Sequence, residues 1–478
     1  MSFLEASIKL GLGALPLSVA LLLMGSGAVS GGSAYGIIIV LFMCSLGLMV
    51  LQIGEGLRWG RLARIAFLGG FLFWYSYPAL ISQVVPDATA LDEIYSSVDP
   101  DVLQRSIVCL SLFLLSGVIS MECLSMSGRK GHPPASNGYR TCGYDVIVLG
   151  LVGSVVGITG YLILGDSISA IKESIVDSRA SVKPWLNTQN LGTSLSPFGY
   201  IIQCVMVGGA SLLWASIFDN RISLLVRIPV TLVVFGVTTL LFFDNGTRAI
   251  LALALFPAVS VGLIKLWMRS RVKGLIASMI ALSVGILILQ FQMLYRVDFT
   301  RPDVANLLFE NWYTLGGTID YFKETLFVVD IIPKEHDYFR ESVLMQFITH
   351  PIPRIVWPDK PVSDVVWFFT LARWNIDIVS EAGNALPGLV GQYYMSWGLV
   401  GPVVSGTLVG VLSTLIDRYL SRLDRNFDLY RATFGVMLII WMFMCYRLLS
   451  PVFLYHVIVS GLIVGLCTIR GRGHLVVR

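Results

Sequence analysis

About twelve apolar runs, each near the twenty residues a helix needs to cross the hydrocarbon core of a bilayer, constrain this chain more than any other feature. They centre near Leu21, Leu46, Phe73, Phe113, Val155, Met206, Val234, Leu255, Ile286, Val404, Ile439 and Val459. A backbone in lipid has no water to bond, so each run must satisfy its own amides and carbonyls as a helix. The expected fold is an all-α polytopic membrane protein. Only 13% of the 478 residues are charged and 55% are hydrophobic, whereas a soluble domain carries roughly 25% charged residues. The N-terminal "MSFLEASIKLGLGALPLSVALLLMGSGAVSGG" mimics a signal peptide. Because many more apolar runs follow, it reads as a first transmembrane helix.

The segments between the runs alternate in character. "EGLRWGRLAR", "SGRKGHPPASNGYRTCG", "DNRISLLVR", "RSRVKG", "DRYLSRLDRNFDLYR" and the tail "RGRGHLVVR" are basic, while "PDATALDEIYSSVDPDVLQR" is acidic. The positive-inside rule turns the basic set to the cytoplasm, so every second loop and neither terminus lies outside. The chain then divides into nine spans over 1–295, a large outer segment over 296–385, and three spans with a cytoplasmic tail over 386–478. A connection that long is functional or disordered, and its Trp, Phe and Tyr content argues against disorder. Within it "VANLLFENWYTLGGTIDYFKETLFVV" and "SDVVWFFTLARWNIDIV" read as short amphipathic helices along or into the outer interface, the second opened by Ser363 and Asp364 as caps.

Several function classes fall away. The cysteines at 44, 109, 123, 142, 204, 445 and 467 show neither metal-ligand spacing nor a disulfide framework. The net charge of +4 forms no long basic block, so nucleic acid is not an expected partner. The cytoplasmic loops are short and hold no glycine-rich phosphate loop. No nucleotide or metal cofactor is expected, and the chemical equipment stands on the outer side.

There the stretch "HPIPRIVWPDKP", His350 to Pro361, sets four prolines in twelve residues. Each ring fixes φ and removes a donor, so this is a rigid elbow rather than a helix. It carries Arg354 and His350, with Asp359 and Lys360 placed to pair with each other. Three more arginines share the outer side: Arg179 in "IVDSRASVKPW", Arg248 opening a span in "NGTRAILALAL", and Arg447 closing one in "MCYRLLSP". A guanidinium is planar, permanently charged and able to make paired bonds to phosphate oxygens, and a helix N-terminus behind Arg248 adds amide donors. Together they fit a diphosphate at headgroup depth. The bland alternative is that a single arginine at a helix end snorkels to lipid, which is the commoner fate for Arg447 taken alone. Arg179 reads equally as a solvated loop charge, and His350 equally as a satisfied loop histidine. Trp312, Tyr313, Trp357, Trp367 and Trp374 read mainly as interface anchors, and His456 as core packing.

The "PR-hydrophobic-WPDKP" elbow, the stretch "EAGNALPGLVGQYYMSWGLVGPVVSGTLVGVL" opening a span, and "NGTRAILALAL" together resemble the Wzy-type oligosaccharide repeat-unit polymerases, the bacterial O-antigen polymerases. The Arg-x10-Gly pattern of some members is absent, since Arg179, Arg248 and Arg354 are followed at that distance by Asn190, Val259 and Val365. The resemblance implies a GT-C-like helical glycosyltransferase in the bacterial inner membrane, with its active site facing the periplasm. Its donor would be a glycan on undecaprenyl diphosphate, its acceptor another lipid-linked repeat unit, and a chain-length regulator protein a candidate partner. On that reading Arg248 and Arg354 stabilise the departing diphosphate, seconded by Arg179 and Arg447. His350 is the first candidate for general base, with Glu381 and Asp364 as alternatives. A ligase using the same donor, a flippase of the same lipid, and a membrane scaffold are the competing readings. A flippase needs polar residues at mid-membrane depth, whereas these gather at the outer edge.

Overall fold

The computed structural model describes residues 3–25, 31–54, 58–84, 99–127, 141–164, 196–245, 248–297, 320–340, 357, 364–374, 386–424, 426–447 and 451–476. Helices account for nearly all of them, and no strand occurs among the described residues. In chain order they are α1 (Phe3–Gly25), α2 (Gly31–Gly54), α3 (Leu62–Phe71), α4 (Tyr77–Val84), α5 (Pro100–Ser127), α6 (Gly143–Leu164), α7 (Ser196–Ile217) and α8 (Leu224–Asn245). There follow α9 (Arg248–Arg269), α10 (Arg271–Val297), α11 (Tyr321–Ile331), α12 (Asp364–Trp374), α13 (Gly388–Trp397), α14 (Val400–Leu420), α15 (Leu429–Cys445) and α16 (Pro451–Val476). Among the described residues, five stretches are long and apolar enough to cross a membrane, within α2, α5, α6, α9 and the α14 region, and α1, α7, α8, α15 and α16 hold shorter apolar stretches. The chain is a helical membrane protein.

The bundle is held by close backbone approach as much as by bulk. Lipid offers no hydrophobic drive between helices, so small residues that let backbones meet become the contact. Gly406 and Gly410, one turn apart on α14, lie against the carbonyls of Phe113 and Gly117 on α5, where a Cβ would collide. Around that seam Phe113 stacks on Phe67 and Phe71, and Tyr446 meets Phe67 at a tilt and Phe113 edge-on, with centroid separations of 5.7–6.2 Å, and all four are fully buried. His456 is fully buried, with Phe453 beside it, as core packing requires.

The basic segments gather at one end of this bundle. There the Ala63 amide donates to Asp417 (2.8 Å), the Trp59 amide to Asp424 (3.2 Å) and the Thr141 amide to Asp428 (2.6 Å). The Tyr430 hydroxyl donates to Asp219 (3.2 Å), Lys265 near the end of α9 sits over the Phe427 ring, and Thr468 of α16 meets Thr141. The other end collects the start of α5, the end of α15, and α11 and α13.

Two elements differ from expectation. The helix found inside "DYFKETLFVV" is not an interface helix: Tyr321, Phe322, Lys323, Thr325, Leu326, Val328, Val329 and Ile331 of α11 are all buried. It dips into the bundle and packs on α13, α5 and the π-helical turn Leu72–Ser76. Likewise "GLVGQYYMSWGLVGPVV" does not open a single span. It folds as the buried helix α13, stopped at Gly398 with φ +59°, before α14 begins. The prolines and glycines that mark the break lie in a run whose hydropathy hardly changes, so the break is masked.

Candidate functional site

Arg447 is the one predicted site residue whose side chain the structure describes. α15 ends at Cys445, the Arg447 amide bonds back to Met444 (3.0 Å), and the side chain turns inward. Its Nε donates to the Tyr321 hydroxyl (3.0 Å), and its guanidinium carbon stands 5.8 Å from the Trp74 ring centroid, within cation–π range.

The seat under Arg447 is built by four stretches of chain. The π-helical turn Leu72–Ser76 presents Trp74 and Tyr75 side by side; such turns shift side chains off the regular helical register and recur at functional sites. Trp74 Nε1 donates to the Phe443 carbonyl (3.1 Å), and its ring meets Tyr321 edge-on at 5.5 Å. The Tyr75 hydroxyl donates to the Tyr446 carbonyl and accepts from the Val390 amide, both at 3.1 Å. The Leu389 amide donates to that same Tyr446 carbonyl (2.9 Å). This approach depends on Gly388, which has φ +72° and whose Cβ would meet the Tyr75 hydroxyl and Tyr321 at 3.0–3.1 Å. A side chain in that left-handed region costs roughly 1–2 kcal/mol before any clash.

One turn along α11 a second arginine is mounted in the same way. Asp320 caps the helix by accepting from the Lys323 amide (2.9 Å), so Tyr321 and Glu324 stand i, i+3 on one face. Glu324 Oε2 accepts from Arg373 Nε of α12 (2.9 Å), and the Arg373 guanidinium carbon lies 5.4 Å from the Phe327 ring centroid. Each arginine is therefore held through Nε by a residue of α11, with its guanidinium carbon over an aromatic ring. Among the described residues no Nη group of either has a hydrogen-bond partner. A fork pinned at Nε has lost most of its rotamer freedom yet keeps the pair of donors that suits phosphate oxygens.

Burial pushes the Glu324 carboxyl above the usual range, against the pull of Arg373 and Lys323. It also pushes the Tyr321 hydroxyl up, against the pull of Arg447. Lys323 is driven down by burial and by the charge of Arg373. His336, the described imidazole nearest in sequence, is elsewhere: its Nδ1 is 2.6 Å from the Asp337 carbonyl, and its ring stacks on Phe339 and meets Phe368 at a tilt, toward the other end of α12.

Arg248 is the first residue of α9, and Asp364 the first of α12, consistent with the helix starts expected there. Arg179, His350, Arg354 and Glu381 lie outside the described residues, as do Ser363, Asp359 and Lys360, and of the elbow only Trp357 is described, exposed at 38%. Sequence reasoning missed Tyr321, Glu324 and Arg373. A signal for Arg373 was available, because it is the basic residue in the otherwise apolar run "VVWFFTLARW", where a charge has to find a partner.

Residues 306–469 match the model of a family described as a domain of unknown function, DUF8712. That stretch contains α11, α12, α13 and Arg447, and leaves out Trp74 and Tyr75. No curated protein matches the chain, and no solved structure matches it.

Proposed function

We propose that the chain is a membrane-embedded glycosyltransferase of twelve spans with a GT-C-like helical fold, related to the Wzy-type polymerases. It joins oligosaccharide repeat units carried on undecaprenyl diphosphate, at the periplasmic face of the bacterial inner membrane. The observation that carries this reading is the paired mounting of Arg447 and Arg373 on one turn of α11, at the end of the bundle away from the basic segments. A positive-inside orientation turns that end outward.

The difficult event is cleavage of the bond between the anomeric carbon and the diphosphate oxygen as an acceptor hydroxyl attacks. Negative charge grows on the leaving diphosphate. Guanidinium groups already fixed in place stabilise it without reorganising, and one such donor is typically worth about 10²–10³ in rate. Arg447 and Arg373 supply this, joined by Arg248 at the head of α9 and by Arg354 and Arg179 from the outer loops. The leaving group itself carries the driving force, so no nucleotide enters.

The test is direct. Detergent-purified protein is incubated with lipid-linked repeat units, without membrane and without ATP. Longer lipid-linked glycans are expected. Transfer only to added lipid A core would make the protein a ligase, and recovery of unchanged units from a folded preparation would remove the enzyme reading in favour of transport.

A further inference from the structure

α11 is buried on nearly every side, and the exception is informative. Between Asp320 and Val329 only Glu324 and Phe327 reach the surface, and Arg373 lies across both. That open stretch carries a carboxylate, one turn from the tyrosine that seats Arg447. Arg373 holds Oε2 alone, and Oε1 has no partner among the described residues. The Glu324 and Arg373 side chains remain 20% and 23% exposed, so a hydroxyl can reach them.

We propose that Glu324 is the base that removes the proton from the attacking acceptor hydroxyl, through Oε1. This rests on the transferase reading above. As the hydroxyl oxygen uses a lone pair to bond the anomeric carbon, its proton passes to Oε1. The bond from that carbon to the diphosphate oxygen breaks, and its electron pair leaves with the diphosphate. The carboxylic acid then returns its proton to water. The charged groups facing Glu324 are Arg373 from α12 and Lys323 on its own helix, with Tyr321 one turn back and Arg447 beyond it. Burial raises the carboxyl above its ordinary value against the opposing charge of Arg373, the direction that suits a general base.

Two variants separate a base from a mere anchor for Arg373. Glu324→Gln keeps an oxygen that can accept from Arg373 Nε but cannot take a proton; elongation of lipid-linked units is expected to fall about 10²–10⁴-fold, with the acidic limb of the kcat/KM profile lost. In Arg373→Gln the carboxyl loses its cation, so the acidic limb should move to higher pH. Thermal unfolding of each purified variant shows whether it is folded. Should Glu324→Gln misfold, the limb shift in Arg373→Gln still decides the matter. The proposal is overturned if wild-type protein elongates glycans while folded Glu324→Gln keeps the acidic limb, or if Arg373→Gln leaves it unmoved, and an abolished rate in His350→Ala beside an active Glu324→Gln would give the role to His350. Failure of the wild-type protein to elongate at all strikes the transferase reading instead.

Discussion

The two ends of the bundle use charge in opposite ways. At the basic end three carboxylates each gather several donors: Asp428 accepts from the amides of Thr141, Tyr430 and Arg431, Asp417 from those of Ala63 and Arg64, and Asp219 from both the side chain and the amide of Arg221. Each caps a helix or ties one segment to another. At the other end Arg447 and Arg373 are each bonded only at Nε, with their remaining donors unclaimed among the described residues. Polar groups with several partners stabilise a fold. Partly engaged ones, kept in place by aromatic rings, are suited to a ligand that supplies the missing partners.

The largest expected effect of breaking this contrast is at Arg447. Arg447→Lys keeps one positive charge but loses the Nε bond to Tyr321 and the fork together, since an ammonium is a point donor. Glycan elongation should fall about 10²–10³-fold, equivalent to about 2.7–4 kcal/mol at 1.36 kcal/mol per tenfold. Thermal unfolding should change little. Normal elongation in that variant would return Arg447 to a packing role.

The mirror experiment is Asp428→Ala at the basic end. The side chain is 4% exposed and satisfies three backbone amides from two segments. Losing a cap costs about 0.5–2 kcal/mol, and a buried donor left without a partner about 1–3 kcal/mol, so a stability loss of about 2–4 kcal/mol is expected. Asp428→Asn, which keeps an acceptor, should lose less. The rate per folded molecule should stay at the wild-type value in both; a reduced rate with unaltered stability would mean that the two ends are not divided as described.

That division was partly legible in the sequence. Segments such as "EGLRWGRLAR" and "DRYLSRLDRNFDLYR" announce a shared side through charge alone, because the bilayer sorts cations along a strong field and leaves the record in short loops. Arg447 was legible as a position, one residue past an apolar run. Its seat was not, because Tyr321 is 126 residues away in sequence, and the Glu324 to Arg373 pair spans 49. No local pattern encodes such a pairing. α11 itself was read as a helix, yet its depth was missed: eleven residues with a Lys, a Glu and an Asp look interfacial, and only the surrounding elements explain why Lys323 can be buried. The break at Gly398 was hidden by uniform hydropathy on both sides.

The smallest expected effect concerns acid, and it sharpens the comparison because the two ends should respond at different pH. At the basic end burial pushes Asp219 up, but the side-chain, backbone and charge interactions with Arg221, with the Tyr430 hydroxyl, outweigh it and hold the carboxyl below its ordinary value. A depressed carboxylate stabilises the folded state fully above the unfolded aspartate value of about 3.9, and that contribution is lost as pH falls from there through the folded value. Glu324 is shifted the other way, so it takes up its proton at higher pH. Acidification should therefore stop glycan transfer first and weaken the fold later. Thermal unfolding followed between about pH 5 and pH 3 should decline less steeply in Asp219→Asn than in the wild-type protein, while the acidic limb of activity stays where it was. Loss of activity and loss of fold at one common pH would mean that Glu324 and Asp219 both serve stability, and the functional contrast between the ends would fail.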